Sequence, residues 1–143
     1  AVVEGIRSLK AARVGGQYLT LSNNASGGFI KLLGDQAQGV IVSQVMPASL
    51  NFGLVKEATQ LAKAKGVDEV SPAMLEGFAS AKVLVEGLRR AGAKPSRASL
   101  HQALDNLGRL DLGGLVLDYS PSDHTGLDFA DLSIVGTGGR FRR

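Results

Sequence analysis

Ser22, Asn23 and Asn24 form the first cluster of side chains in this 143-residue chain that could hold a small molecule. One hydroxyl and two amides donate and accept hydrogen bonds without carrying charge. Tyr18 to Leu21 before them reads as a short strand, and Phe29 to Leu33 after them as a short helix. That is the position, past the carboxyl end of a strand and ahead of a helix, where open α/β sheets bind ligands with help from free backbone N–H groups. The same residues have a second reading. Ser22 to Gly28 is also a polar turn whose Ser and Asn side chains cap the helix.

Other constellations carry less. Asp118, Asp123, His124, Asp128 and Asp131 suggest a metal cluster by number, but their spacing matches neither an EF-hand loop nor a two-histidine zinc motif, so they read as a solvated hairpin connection. Ser120, Asp123 and His124 are the residue types of a nucleophilic triad, yet a triad is assembled from separated elements and these are neighbours in one loop. His101 reads as a lone surface histidine. Gly136-Thr137-Gly138-Gly139 is followed by neither a lysine nor a helix and so is no phosphate loop. Glu76 and Glu86 are spaced from Lys82, Arg89 and Arg90 for exposed helical ion pairs. Tyr18 and Tyr119 read as core rings with a hydrogen-bonded hydroxyl, or as pocket lining. No catalytic residue, cofactor or metal site is expected.

The elements that must position Ser22 to Asn24 follow from periodicity. Val2, Val3, Ile6, Leu9 and Val14 share a helical face that stops at Gly15-Gly16. Val40 to Val45 is a second strand whose apolar run suggests burial on both faces, as in a parallel sheet. Three helices follow. The first carries Leu54, Val55, Ala58, Leu61 and Ala62; the second runs from Pro72 to Ala91, capped by Ser71, with apolar residues around much of its girth; the third starts at Pro95-Ser96. Leu115 to Asp118 and Phe129 to Val135 read as strands, with a tight turn into Phe141.

Composition narrows the function classes. The hydrophobic fraction of 44% and charged fraction of 20% suit a globular fold, and no apolar run approaches the roughly 20 residues that span a bilayer. The net charge of +3 is scattered, its densest cases being Arg89-Arg90 and the terminal Arg140, Arg142 and Arg143, so no nucleic-acid partner is expected. The absence of cysteine excludes disulfides, thiolate metal sites and thiol nucleophiles and leaves the compartment open. Because the chain opens at Ala1 within a helical pattern, further chain is expected before it.

From about Ala11 onward the sequence resembles the C-terminal half of type I periplasmic solute-binding proteins, the branched-chain amino-acid receptor family of ABC importers. Three segments in order carry the resemblance: QYLTLSNNASGGFIKLLGDQAQGVIVSQVMP, SPAMLEGFASAKVLVEGLRRAG and GGLVLDYSPSDHTGLDFADLSIVGTGGRF. It implies an α/β fold of two lobes with mainly parallel sheets flanked by helices. Residues 1–46 would be part of the second lobe, 47–118 part of the first, and 119–143 a return to the second. Val45 to Pro47 and Asp118 to Pro121 would then lie side by side as hinge strands. The implied function is non-enzymatic capture of a small-molecule solute, an amino acid or an aromatic or aliphatic carboxylate, for an ABC permease. A ligand sensor of the same fold, or an α/β enzyme with its catalytic residues elsewhere, is the alternative. The implied location is periplasmic, or extracellular with a lipid anchor, and the lobes would be completed by an N-terminal half of the same protein or by a second copy. The resemblance also adds Ala73 and Met74, at the start of the second of the three helices, to the ligand candidates Ser22, Asn23 and Asn24, although a buried first turn is their plainer reading. It places Ser22 where amino-acid-binding members carry an acidic partner for the ligand's ammonium group.

Overall fold

A computed structural model describes residues 1–47 and 51–142. Arg143 and residues 48–50 lie outside the described residues. The chain divides into two units, each treated separately below: one comprises Ala1–Met46, Ser71–Ala73 and the described residues from Ala130 on, the other the described residues of Pro47–Val70 and Met74–Phe129.

In the first unit, helix α1 (Val2–Ala11) and helix α2 (Gly27–Leu33) cover one face of a four-stranded sheet. Its strands are β1 (Leu19–Thr20), β2 (Ile41–Gln44), β6 (Asp131–Val135) and β7 (Phe141–Arg142), in the order β1-β2-β6-β7. Ile6, Phe29 and Leu33 from the helices meet Val40, Val42 and Val135 from the sheet in one buried cluster. Burying each such side chain contributes about 1.5 to 3 kcal/mol. Ser26 caps α2 by accepting from the Phe29 N–H at 3.2 Å, and α1 closes its other end: the Arg7 guanidinium donates to the Leu32 carbonyl and the Lys10 ammonium to the Gln36 carbonyl. Helix α1 ends at Ala11 after nearly three turns, and Val14 beyond it is exposed.

In the second unit, helices α3 (Gly53–Ala64), α4 (Pro72–Arg90) and α5 (Arg97–Asp105) accompany a sheet of β3 (Gly108–Asp111), β4 (Val116–Ser120) and β5 (Asp123–Gly126). Ser96 starts α5 through a capping box with Ser99, which makes this boundary sharp. Gly87 lets α5 approach α4 closely, since a Cβ there would stand 2.7 Å from a Leu104 methyl. Gly126, at φ +71°, leaves room for the Tyr119 ring, which a Cβ would meet at 2.3 Å.

The α/β class holds, with three departures. Only β1 and β2 pair in parallel; the other described pairings are antiparallel, because β6 returns beside β2 and β3 to β5 form a meander. Burial along β2 alternates accordingly: Val42 is fully buried while Ile41 and Ser43 are half-buried. Second, the neighbour of β2 is Asp131–Val135, with Gln44 opposite Asp131, whereas Asp118 and Tyr119 stay in the other sheet opposite Arg109 and Gly108. In the division into units given above, the return to the first unit begins at Ala130. Third, α4 is not buried all round: Leu75, Ala79, Val83 and Gly87 form one buried stripe, and Met74, Leu84, Val85 and Leu88 are exposed.

Candidate functional site

Ser22, Asn23 and Asn24 form a single 3-10 turn immediately beyond β1, entered through Leu21 in extended conformation. The Asn24 N–H donates to the Leu21 carbonyl at 3.0 Å and the Ala25 N–H to the Ser22 carbonyl at 2.9 Å, so the turn closes on itself. Side chains fix it further. The Asn24 side-chain amide donates to the Thr20 hydroxyl at 2.9 Å and to Asn23 Oδ1 at 3.0 Å. Ser22 is half-buried, and its hydroxyl has no hydrogen-bond partner among the described residues. The turn therefore offers hydrogen-bonding groups without charge. Of this segment's polar side chains, it is Ser26 that caps the helix.

Gln44 joins this end of the sheet and was missed from sequence, where it passes as one polar residue in an apolar strand. It ends β2, two residues past Val42, which pairs with Thr20 of β1. Thr20, Gln44 and Ser133 are the buried polar residues among those described, and the register Thr20–Val42–Ser133 with the alternation to Gln44 sets all three on the helix-covered face. Among the described residues the Gln44 Oε1 atom is buried without a partner.

The other candidates are placed differently. Ala73 and Met74 are exposed in the first turn of α4, so the expected burial of that turn is not met. Tyr18 is a packing residue: its ring lies against the core cluster, its hydroxyl donates to the Val14 carbonyl at 2.7 Å, and Lys10 sits 5.4 Å above the ring. His101 is not alone. His101 Nδ1 lies 2.9 Å and His124 Nε2 3.1 Å from the Asp105 carboxylate, which brings the end of α5 beside β5. Sequence spacing could have shown the first contact, an i, i+4 pair on one helix, but not the second. Asp123 accepts from both the Thr125 hydroxyl and its N–H, and these bonds lower its carboxyl pKa below the ordinary value. Among the described residues no group of His, Asp or Glu is arranged to hold a metal ion, and no helix is long and apolar enough to cross a membrane. Ser22, Asn23 and Asn24 line neither a cavity of about 250 Å³ between Ile30, Asp35 and Gly139 in the first unit nor a groove of about 450 Å³ between Phe78, Val85 and Leu112 in the second.

No family model matches the chain, and no curated protein does. Solved structures do. Over 99% of its length the chain superposes with a TM-score of 0.87 and 26% identity on a possible leucine/isoleucine/valine-binding protein from Rhodopirellula baltica SH 1. An extracellular ligand-binding receptor from Verminephrobacter eiseniae ef01-2 matches 99% of the chain at a TM-score of 0.88 and 26% identity. A substrate-binding periplasmic protein from Ralstonia solanacearum matches 98% at 0.86 and 32%. The chain spans 39%, 41% and 41% of those proteins.

Proposed function

For a chain that has the fold of part of a type I periplasmic solute-binding protein, we propose service as the carboxyl-terminal portion of a receptor that captures a small organic solute for an ABC permease. The supporting observation is the Ser22–Asn24 turn, with an unpartnered hydroxyl outside the carboxyl end of β1 in a fold shared with ligand receptors. In this reading the two units are portions of two hinged lobes, and the rest of each lobe comes from an N-terminal half or a second copy. A solute that contacts both lobes only when they are closed stabilises the closed form, which the permease then recognises. The protein would work in the periplasm or at the outer face of a membrane, without catalysis.

Ser22 also bears on solute class. An ammonium group enclosed in a closed cleft needs a carboxylate or several oriented acceptors, because an unpaired buried charge costs several kcal/mol. Ser22 supplies a neutral hydroxyl. A carboxylate-bearing aromatic or aliphatic acid without a free α-amino group fits such a site, its carboxylate accepting from the Ser22 hydroxyl. Calorimetry on the complete protein against branched-chain amino acids and such acids tests this. Saturable binding of an acid is the expected result, and sub-micromolar binding of leucine, isoleucine or valine overturns the assignment of solute class.

A further inference from the structure

We infer that Gln44 is a solute-contact residue that accepts a hydrogen bond from a hydroxyl carried beside the solute's carboxylate. The inference rests on the solute-receptor reading above and narrows it to hydroxy acids. Gln44 closes the carboxyl end of β2, and the register places it two residues beyond the Thr20–Val42 pair, as Ser22 is two residues beyond Thr20 in the adjacent parallel strand. Both residues thus sit at the same edge of the sheet, and β2 packs against the Ser22–Asn24 turn. The strand's inward face runs Val40, Val42, Gln44, and the first two are fully buried. Another apolar side chain would continue that face at no cost in hydrogen bonding. Instead the position holds an amide, 5% exposed, whose Oε1 has no partner among the described residues. A buried acceptor left without a donor destabilises the protein that carries it, and such groups are rare in native folds. Thr20 on the same face shows the contrast: its oxygen accepts from Asn24 at 2.9 Å.

A donor on the solute removes that cost, reached by rotation about the flexible Gln44 side chain toward the strand end. The chemistry of the pair sets the class. Ser22 donates to a carboxylate and Gln44 accepts from a neighbouring donor, and neither neutralises a positive charge. A hydroxyl satisfies Gln44 without burying charge, whereas an ammonium group would find no charged partner in Ser22 or Gln44.

The test uses the complete protein and two matched pairs of probes that differ only in the hydroxyl: 2-hydroxy-3-methylbutanoate against 3-methylbutanoate, and mandelate against phenylacetate. Calorimetry on the wild type is expected to show the hydroxy acid of at least one pair binding about ten-fold more tightly than its partner. Gln44→Leu is expected to bring the two members within about two-fold of each other. Gln44→Met, unbranched like glutamine, serves the same purpose if the leucine variant does not fold. Melting without solute gives an independent readout: removing an orphaned acceptor is expected to raise the midpoint, whereas removing a structural amide lowers it. Hydroxyl selectivity that persists in the variants, an equal loss of both acids, or a lowered midpoint overturns the role of Gln44. Wild-type binding of both acids without preference removes this inference and leaves the receptor reading standing, while binding of none of the four acids removes the acid-binding reading and this inference with it.

Discussion

The Asn24 side-chain amide donates to the Thr20 hydroxyl at 2.9 Å, tying the last residue of the 3-10 turn to the last residue of β1. Thr20 is buried and Asn24 half-buried, so the bond is protected from water. Thr20→Val keeps the shape and removes the acceptor. It is expected to cost about 1 kcal/mol of stability, within the range for losing one intramolecular hydrogen bond. A double-mutant cycle with Asn24→Ala, followed by chemical denaturation, isolates the pair, and a coupling below about 0.3 kcal/mol would place the anchoring of the turn elsewhere.

Ser22 is next in that anchored turn, and its free hydroxyl makes it the test residue for solute binding. Losing a hydrogen bond to a charged carboxylate by Ser22→Ala is expected to weaken acid binding by roughly 1.5 to 3 kcal/mol, or one to two decades in Kd. Ser22→Asp is expected to do more. It introduces a charge that repels a carboxylate and pairs with an ammonium group, so calorimetry should find the preference moving toward amino acids. Indifference of the affinity to both changes would remove Ser22 from the site.

Elements whose ends carry their own signals were legible in the sequence. Ser96 and Ser99 mark the start of α5 through bonds that involve only near neighbours, and Pro72 stands at the first position of α4, where a helix-starting proline belongs. β3 and β5 were not. Gly108-Arg109-Leu110-Asp111 and Asp123-His124-Thr125-Gly126 contain little apolar residue content and become strands by pairing with β4. The girth of α4 misled for a related reason, since an apolar surface states an affinity for cover and not whether cover is present. At the candidate site the Ser22–Asn24 turn was legible from its strand-to-helix position. Gln44 was not, because an orphaned oxygen is defined by surroundings drawn from several strands.

The β5 hairpin offers a pH readout. Asp123 accepts from the Thr125 hydroxyl at 2.6 Å and from the Thr125 N–H at 2.9 Å, and these bonds hold its carboxyl below the ordinary aspartate value. A depressed folded-state pKa stabilises the fold above the unfolded-state value, and that contribution is lost as pH falls through the folded-state value. The hairpin is therefore expected to loosen only in acid more extreme than ordinary aspartate titration. The group is exposed, so the effect is local. An NMR titration of the Thr125 amide should show its midpoint below that of a model aspartate, and a midpoint at or above it contradicts the bonds as drawn.

The sheet of the first unit has a second face, opposite α1 and α2, where Leu19, Ile41 and Ile134 lie in one cross-strand row beside the next row's Leu132. Leu19 is 60% exposed, Leu132 55% and Ile134 40%, so apolar surface is continuous across three strands. Contiguous patches of this kind mark a surface that takes cover from other chain. The chain spans about two-fifths of the solved receptors it matches, and the two routes to cover are more of the same protein or another copy. Expressed alone, the 143-residue chain is expected to self-associate through this face, and light scattering at increasing concentration measures it. Leu132→Lys with Ile134→Lys places charges on the row without touching Val42 or Val135, which face the helices. The double variant is expected to shift the chain toward monomer while keeping its far-ultraviolet spectrum. A wild-type chain that stays a monomer of 14.8 kDa at every concentration and unfolds in one cooperative step would show that this face needs no cover, and would remove the case for lobes completed from outside the chain.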